Sequence, residues 1–325
     1  MADVLVTESI LGPAMEALRE TFDVAFEADL WTDRTRLMNR VAEARAIIVR
    51  NQTPVTADLI RAARNLQIIA RAGAGLDNID VRAASDAGIV VSYTPVQNAI
   101  SVAELTVALM LALARKIPAA DQHVKGGGWA RQRYTGVELY GKTLGVAGFG
   151  RIGFLTAMRA RAFGMNVMAY DPYLASDALT VIEARAQLVS LDELLGASDF
   201  LACHLPSSDQ TRAMFIYDRF CRMKSSAFFI NVARGDVVDE AGLVRALQEG
   251  KIAGAALDVR ASEPPEKSPL CEMENVILTP HIGAFTDEAQ DRVVASVCRD
   301  VEAVLNGGQA IHFANFPSPR AQRGD

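Results

Sequence analysis

Residues 278–285 read LTPHIGAF, which sets His281, one of four histidines in the chain, at the end of an apolar run with Pro280 before it and Gly283 shortly after. An imidazole so placed either serves the turn through backbone hydrogen bonds or moves a proton near neutral pH. Other charged residues follow comparable runs. Arg234 comes after AFFINV (227–232), Asp258 after AGAAL (253–257), and Glu263 lies just beyond in RASEPPE. Singly, Arg234 reads as a surface cation, Asp258 as a turn or helix cap, and Glu263 as a solvated loop charge. Jointly they match what hydride exchange at a carbinol requires. His281 would accept the hydroxyl proton, Arg234 would polarise a carbonyl and hold a carboxylate, and Glu263 would orient the base.

Such chemistry needs a hydride carrier. TLGVA (143–147) leads into Gly148-Phe149-Gly150-Arg151-Ile152-Gly153. A GxGxxG is weak evidence alone, because glycine turns occur in unrelated α/β proteins. Here a strand-like run precedes it, a helical segment follows, and the next apolar run ends at Asp171, 18 residues beyond Gly153. Gly148 would permit the tight turn, Gly150 the approach of a pyrophosphate, and Gly153 close packing of helix on strand. The helix N-terminus supplies N–H donors for the anion. Asp171 would accept from the adenosine ribose hydroxyls and repel a 2′-phosphate. Its successors Pro172, Tyr173 and Leu174 offer no arginine, so NAD is expected rather than NADP.

These residues need a scaffold that brings strand ends together. Short β-branched runs alternate with helix-period segments in two series. The first has strand-like runs at 3–10, 46–50, 66–71 and 89–93, with helices expected at 13–20 and 56–64. The second has them at 143–149, 166–171, 200–205, 227–232, 253–259 and 275–280, and an amphipathic helix at about 286–306 follows. Between the series, Ser101 and Glu104 have capping-box spacing, so a long helix is expected to begin at Ser101. The segment 125–141, rich in glycine and aromatics, reads as an extended arm. The fold class is therefore α/β, with two doubly wound parallel-sheet domains and a cleft between them.

Composition narrows the classes. With 325 residues, half of them hydrophobic, and a net charge of −6, the chain reads as a globular protein with no basic field for nucleic acid. The stretch VALMLALA (107–114) is too short to span a bilayer, which takes about 20 residues. Cys203, Cys221, Cys271 and Cys298 form no CxxC pair and no metal-type spacing, so no metal site is expected. With no signal peptide evident, they read as reduced thiols of a cytoplasmic protein.

In their order, GRIG, NVARGDVVDE, ALDV with EPPE, and LTPHIGA resemble the D-isomer-specific 2-hydroxyacid dehydrogenase family. ARAGAGLDNID and ELYGKTLGVAGFGRIG are most similar to its D-3-phosphoglycerate dehydrogenase branch, in a short form without a C-terminal regulatory domain. The resemblance runs from about residue 45 to 306. It implies a Rossmann NAD-binding domain at 98–286 and a flavodoxin-like substrate domain from 1–97 with 287–325. Arg234, Glu263 and His281 would be the catalytic residues. Arg151, Ile152, Asp171 and Asp258 would contact the cofactor, Asp258 at the nicotinamide carboxamide. His204, Leu205, Pro206, Val232, Ala233, Gly283 and Ala284 complete the expected cofactor contacts. The family further implies a D product and a homodimer, for which the aromatic stretch 129–140 is the candidate surface.

The glycine turn at Gly73, Ala74 and Gly75 would point backbone N–H groups at the substrate carboxylate. Arg50 and Arg71 end adjacent strands and suit a second anionic group, with Arg131 and Arg133 as further cations in the arm. Two positions depart from the branch. TPVQN stands where relatives carry a glycine pair, altering a hinge, and Arg260 replaces a common phenylalanine, placing a cation near the expected site. The expected function is NAD-dependent oxidoreduction of a small 2-hydroxy acid, phosphoglycerate-like or sulfolactate-like. Hydroxypyruvate or glyoxylate reduction is one alternative, and an NADH-sensing corepressor-like binding protein is another.

Overall fold

The computed structural model describes residues 2–320, which divide into two compact units, 2–98 with 285–320 and 99–284. In the first unit, β1 (Val4–Val6), β2 (Val24–Phe26), β3 (Ala46–Val49), β4 (Ile68–Arg71) and β5 (Val90–Ser92) form a parallel sheet in the order β2-β1-β3-β4-β5. This is the flavodoxin-type order. Every residue of β1, β3, β4 and β5 is buried, because helices cover both faces of the sheet. On one face Val4, Val6, Ile48 and Ile68 pack against Val293, Val297, Val301 and Val304 of the helix Asp287–Leu305. On the other, Leu5, Ile47, Val49 and Ile69 meet Leu37, Leu59 and Ile60. Edge strand β2 is three residues long and half-buried, which explains why no apolar run announced it.

The second unit holds β6 (Thr143–Ala147), β7 (Asn166–Tyr170), β8 (Gln187–Leu188), β9 (Phe200–Cys203), β10 (Phe228–Asn231), β11 (Gly254–Leu257) and β12 (Val276–Leu278). All pair in parallel, in the order β12-β11-β10-β9-β6-β7-β8. Chain direction across the sheet reverses at β6 and β9, the crevice where such sheets bind ligands. Phe200, Ile230, Val146 and Met110 build the core on one face, and Phe215, Phe220, Phe229 and Leu243 build it on the other.

Two expectations need correction. The long helix spans Ala99–Ala114 and starts before Ser101, because Ala99, Val102, Ala103 and Thr106 extend its buried face in both directions. Ser101 lies on that face, and Glu104 pairs with Arg159 Nη2 at 2.9 Å instead of closing a cap. A true capping box exists at Ser190 and Glu193. The arm is only partly extended: a helix Ile117–Lys125 enters it and a 3-10 turn, Arg131–Tyr134, interrupts it. All four cysteines are free, and among the described residues no helix is long and apolar enough to cross a membrane.

Candidate active site

The parallel register of the second unit delivers the ends of β10, β11 and β12 to one edge of the sheet. His281 follows β12 with a left-handed backbone, φ +55°, a conformation that non-glycine residues adopt only when held. Asp258, buried after β11, does the holding. Its carbonyl accepts from His281 N–H at 2.8 Å. Its carboxylate accepts from Thr279 Oγ1 (2.6 Å), Ile282 N–H (2.9 Å) and Gly283 N–H (2.8 Å). Both Asp258 oxygens are thus committed to the loop that carries His281.

Glu263 Oε2 lies 2.6 Å from His281 Nδ1. Burial would raise the Glu263 carboxyl. The bond and charge of His281, the Arg260 N–H and the charge of Arg234 outweigh it and hold the carboxyl below its usual range. With Nδ1–H donating to this carboxylate, Nε2 is the nitrogen left to exchange a proton. Arg234 is half-buried after β10, with Nη1 donating to the Ala233 carbonyl at 2.7 Å. Asn231, fully buried at the end of β10, fixes this turn. Its Nδ2 donates to the Arg234 carbonyl (2.9 Å) and its Oδ1 accepts from Ala233 N–H (3.0 Å). Sequence reasoning passed over Asn231, although a polar residue closing an apolar strand was its signal. Arg260 corrects another expectation. It is only 9% exposed and turns into the protein toward Glu240, not toward the site.

The loop after β6 gives each glycine a separate job. Gly148 has φ +89°, and a Cβ there would sit 2.9 Å from the His204 backbone. A Cβ on Gly153 would come within 2.3 Å of the Gly148 carbonyl oxygen, whereas one on Gly150 would meet nothing within 4 Å. Gly150 therefore keeps open the space above the helix Arg151–Ala162, whose first residue is the exposed Arg151 with half-buried Ile152 behind it. Asp171, just after β7, accepts from Phe149 N–H (3.0 Å) and Tyr173 N–H (3.1 Å), so the acid is fixed against the loop. His204 follows β9, and both of its buried ring nitrogens lack a hydrogen-bond partner among the described residues. Burial pushes its pKa down to about 3. Leu205, Val232 and Gly283 are buried, Ala233 and Ala284 half-buried, and Pro206 exposed. An open cradle at a helix N-terminus fits the phosphates of a dinucleotide.

In the first unit the polar residues also gather at the carboxyl ends of the strands. Arg50, after β3, contacts Gln290, and its guanidinium lies 4.7 Å from the centre of the Phe285 ring. Burial lowers its pKa against the raising effect of Glu8. Arg71 is buried, with Nε 3.5 Å from Asn78 Oδ1. Asn78 in turn donates to the carbonyls of Arg50 (3.0 Å) and Thr53 (2.8 Å). Arg71 also explains Gly73, since a Cβ there would fall 1.7 Å from its Nη1. Gly73 N–H itself is spent on the Arg71 carbonyl at 2.9 Å. Glu8, which the sequence did not flag, is buried after β1. It accepts from the N–H groups of Arg50 (2.7 Å), Gln52 (3.1 Å) and Thr53 (3.0 Å) and so organises the turn that carries Arg50. In the arm, Arg133 is paired with Glu274, and Arg131 lies over Trp129.

The family model for the D-isomer specific 2-hydroxyacid dehydrogenase NAD binding domain matches residues 107–283. The chain belongs to this family. It is 44% identical over 320 residues to the D-3-phosphoglycerate dehydrogenase of Methanocaldococcus jannaschii, covering 98% of this chain and 60% of the relative. The chain thus spans about 60% of the length of that curated relative. A Thermus thermophilus protein of known structure superposes with a TM-score of 0.90 at 34% identity, over 96% of this chain and 99% of its own. D-Lactate dehydrogenase from Aquifex aeolicus, solved with NAD and lactic acid, gives 0.87 at 31% identity, over 97% and 100%.

Proposed function

We propose that the chain is an NAD-dependent dehydrogenase for a short D-2-hydroxy acid bearing a second anionic group, phosphoglycerate-like or sulfolactate-like. The observation that carries this reading is the 2.6 Å bond between His281 Nδ1 and Glu263, on a loop clamped by Asp258. A bound nicotinamide would supply the hydride donor or acceptor at this site. In the reductive direction His281 donates its Nε2 proton to the carbonyl oxygen and in oxidation takes it back, while Glu263 holds the ring in one tautomer. Arg234 binds the carboxylate and carbonyl oxygen of the 2-oxo acid and stabilises the charge that develops on oxygen. Gly148, Gly150 and Gly153 would admit the pyrophosphate, and Asp171 would favour the unphosphorylated ribose.

Because Gly73 N–H is already bonded, the backbone of Ala74 and Gly75 is left to receive a substrate carboxylate. Arg50 and Arg71, linked through Asn78, supply positive charge for the second anion. The working form is a homodimer that uses the arm. The test is reduction of phosphohydroxypyruvate, 3-sulfopyruvate, hydroxypyruvate, glyoxylate and 2-oxoglutarate with NADH, followed at 340 nm. The highest kcat/KM is expected for a substrate with a second anion. Preference for glyoxylate or hydroxypyruvate would make this a small-substrate reductase, and no turnover with tight NADH binding would favour a sensor.

A further inference from the structure

The side chain of Arg260 is 7% exposed, and its fork meets the carboxylate of Glu240, the first residue of the helix Glu240–Gln248. Nε lies 3.0 Å from Oε1 and Nη2 lies 2.8 Å from Oε2, while Nη2 also donates to Ser268 Oγ at 3.1 Å. Glu240 Oε1 accepts in addition from Ala261 N–H at 2.7 Å. One carboxylate therefore grips the side chain of Arg260 and the backbone N–H of Ala261. From that backbone Arg260 N–H points at Glu263 Oε1, 3.4 Å away, while Glu263 Oε2 holds His281. The Arg260 carbonyl lies over Gly235, next to Arg234, so closely that a Cβ on Gly235 would be 1.8 Å from its oxygen. A single residue thus bears on the turns that carry both Arg234 and Glu263. Exposed ion pairs hold little, but a shielded bidentate fork fixes geometry.

We propose that the Arg260–Glu240 pair is a positioning device for the dehydrogenase reaction, setting the Glu263 carboxylate and through it the His281 ring. The inference rests on His281 being the proton-transfer group. The charged groups facing Glu263 are His281 and Arg234, and those facing Arg260 are Glu240 and the Cys271 thiol. Neither Arg260 nor Glu240 touches the reacting atoms in this scheme. Their loss should therefore act on kcat and on the acid limb of the pH profile, and leave cofactor affinity alone.

The test uses the whole chain as Arg260→Met, Arg260→Lys, Glu240→Gln and the Arg260→Met/Glu240→Gln double variant. Reduction of the best 2-oxo acid is measured from pH 4.5 to 9, and the Nδ1–H signal of 15N-labelled histidine is followed by NMR. Arg260→Met is expected to lower kcat about tenfold, the scale of a small misplacement of a reacting group, with KM for NADH within about twofold. The acid limb should move to higher pH, because the residue 260 N–H, no longer held in place, favours the charged form of Glu263 less. The double variant should lose no more than the Arg260→Met single, since the two residues act as one unit. Lysine, a point charge without the fork, should restore only part of kcat. If Arg260→Met does not fold, Glu240→Gln carries the comparison, because it keeps the shape and one acceptor. Variants that melt earlier yet keep wild-type kcat and acid limb per folded molecule would overturn the proposal. If the wild type reduces no acid in the panel, the functional reading fails separately. The clamp is then read from the His281 Nδ1–H signal, assigned by its loss in His281→Ala: loss in Arg260→Met or Glu240→Gln supports it, and retention in both sinks it.

Discussion

Single residues here have roles set by what they can and cannot bond. His281 has one nitrogen committed to Glu263 and a backbone pinned by Asp258. His281→Ala should lower turnover about 10²- to 10⁴-fold, the usual contribution of general acid–base catalysis. NADH affinity, read by fluorescence titration, should stay within about twofold. Equal losses in both would remove His281 from the proton-transfer role. His204 is the converse case, a histidine kept neutral. Its folded pKa of about 3 lies below the unfolded value of about 6.5. Between these values the unfolded chain binds a proton that the folded chain refuses, so stability rises with pH across that window. Denaturation midpoints in urea should therefore climb from pH 4 to pH 6.5 in the wild type and climb less in His204→Gln. Identical slopes would mean that His204 is protonated in the folded protein. Sequence alone marked both histidines, but it could not tell that His204 is kept neutral, because that depends on burial.

At the scale of elements, the loop between β6 and its helix separates folding from binding within six residues. A methyl group at Gly153 would strike the Gly148 carbonyl, whereas one at Gly150 meets only open space. Gly153→Ala is expected to destabilise the second unit by about 1–3 kcal/mol, the typical cost of overpacking. Gly150→Ala should fold within about 0.5 kcal/mol of wild type and bind NADH more weakly by at least about tenfold, since the added methyl occupies the cradle. Thermal unfolding and NADH titration of the two variants check both halves. If Gly150→Ala bound NADH normally, the cradle assignment would be wrong. The GxGxxG pattern announced this element because its spacing reflects steric needs local to one turn. The helix start at Ala99 was misread because Ser101 and Glu104 have the right spacing for a cap while packing puts Ser101 on the buried face.

For the whole molecule, the arm leaves Trp129 73% and Tyr140 78% exposed, more apolar surface than a solvated loop has reason to carry. Small-angle scattering at micromolar concentration should give a particle of twice the chain mass, and Trp129→Ser should shift it toward the monomer. A monomeric wild type would refute the dimer. What the sequence determined by itself is the pair of parallel sheets, the glycine loop after β6 and the placing of Arg234, Glu263 and His281 beyond the strands of the second series. Those follow from apolar runs and turn residues read along the chain. The tertiary structure alone decided which atoms those side chains meet. It turned Arg260 away from the expected site to Glu240, committed Asp258 to the His281 loop, and set the unflagged Glu8 and Asn231 as the holders of Arg50 and Arg234. The reason is that a buried polar group must find its partner, and here those partners come from other loops and strand ends that only folding brings within hydrogen-bond reach.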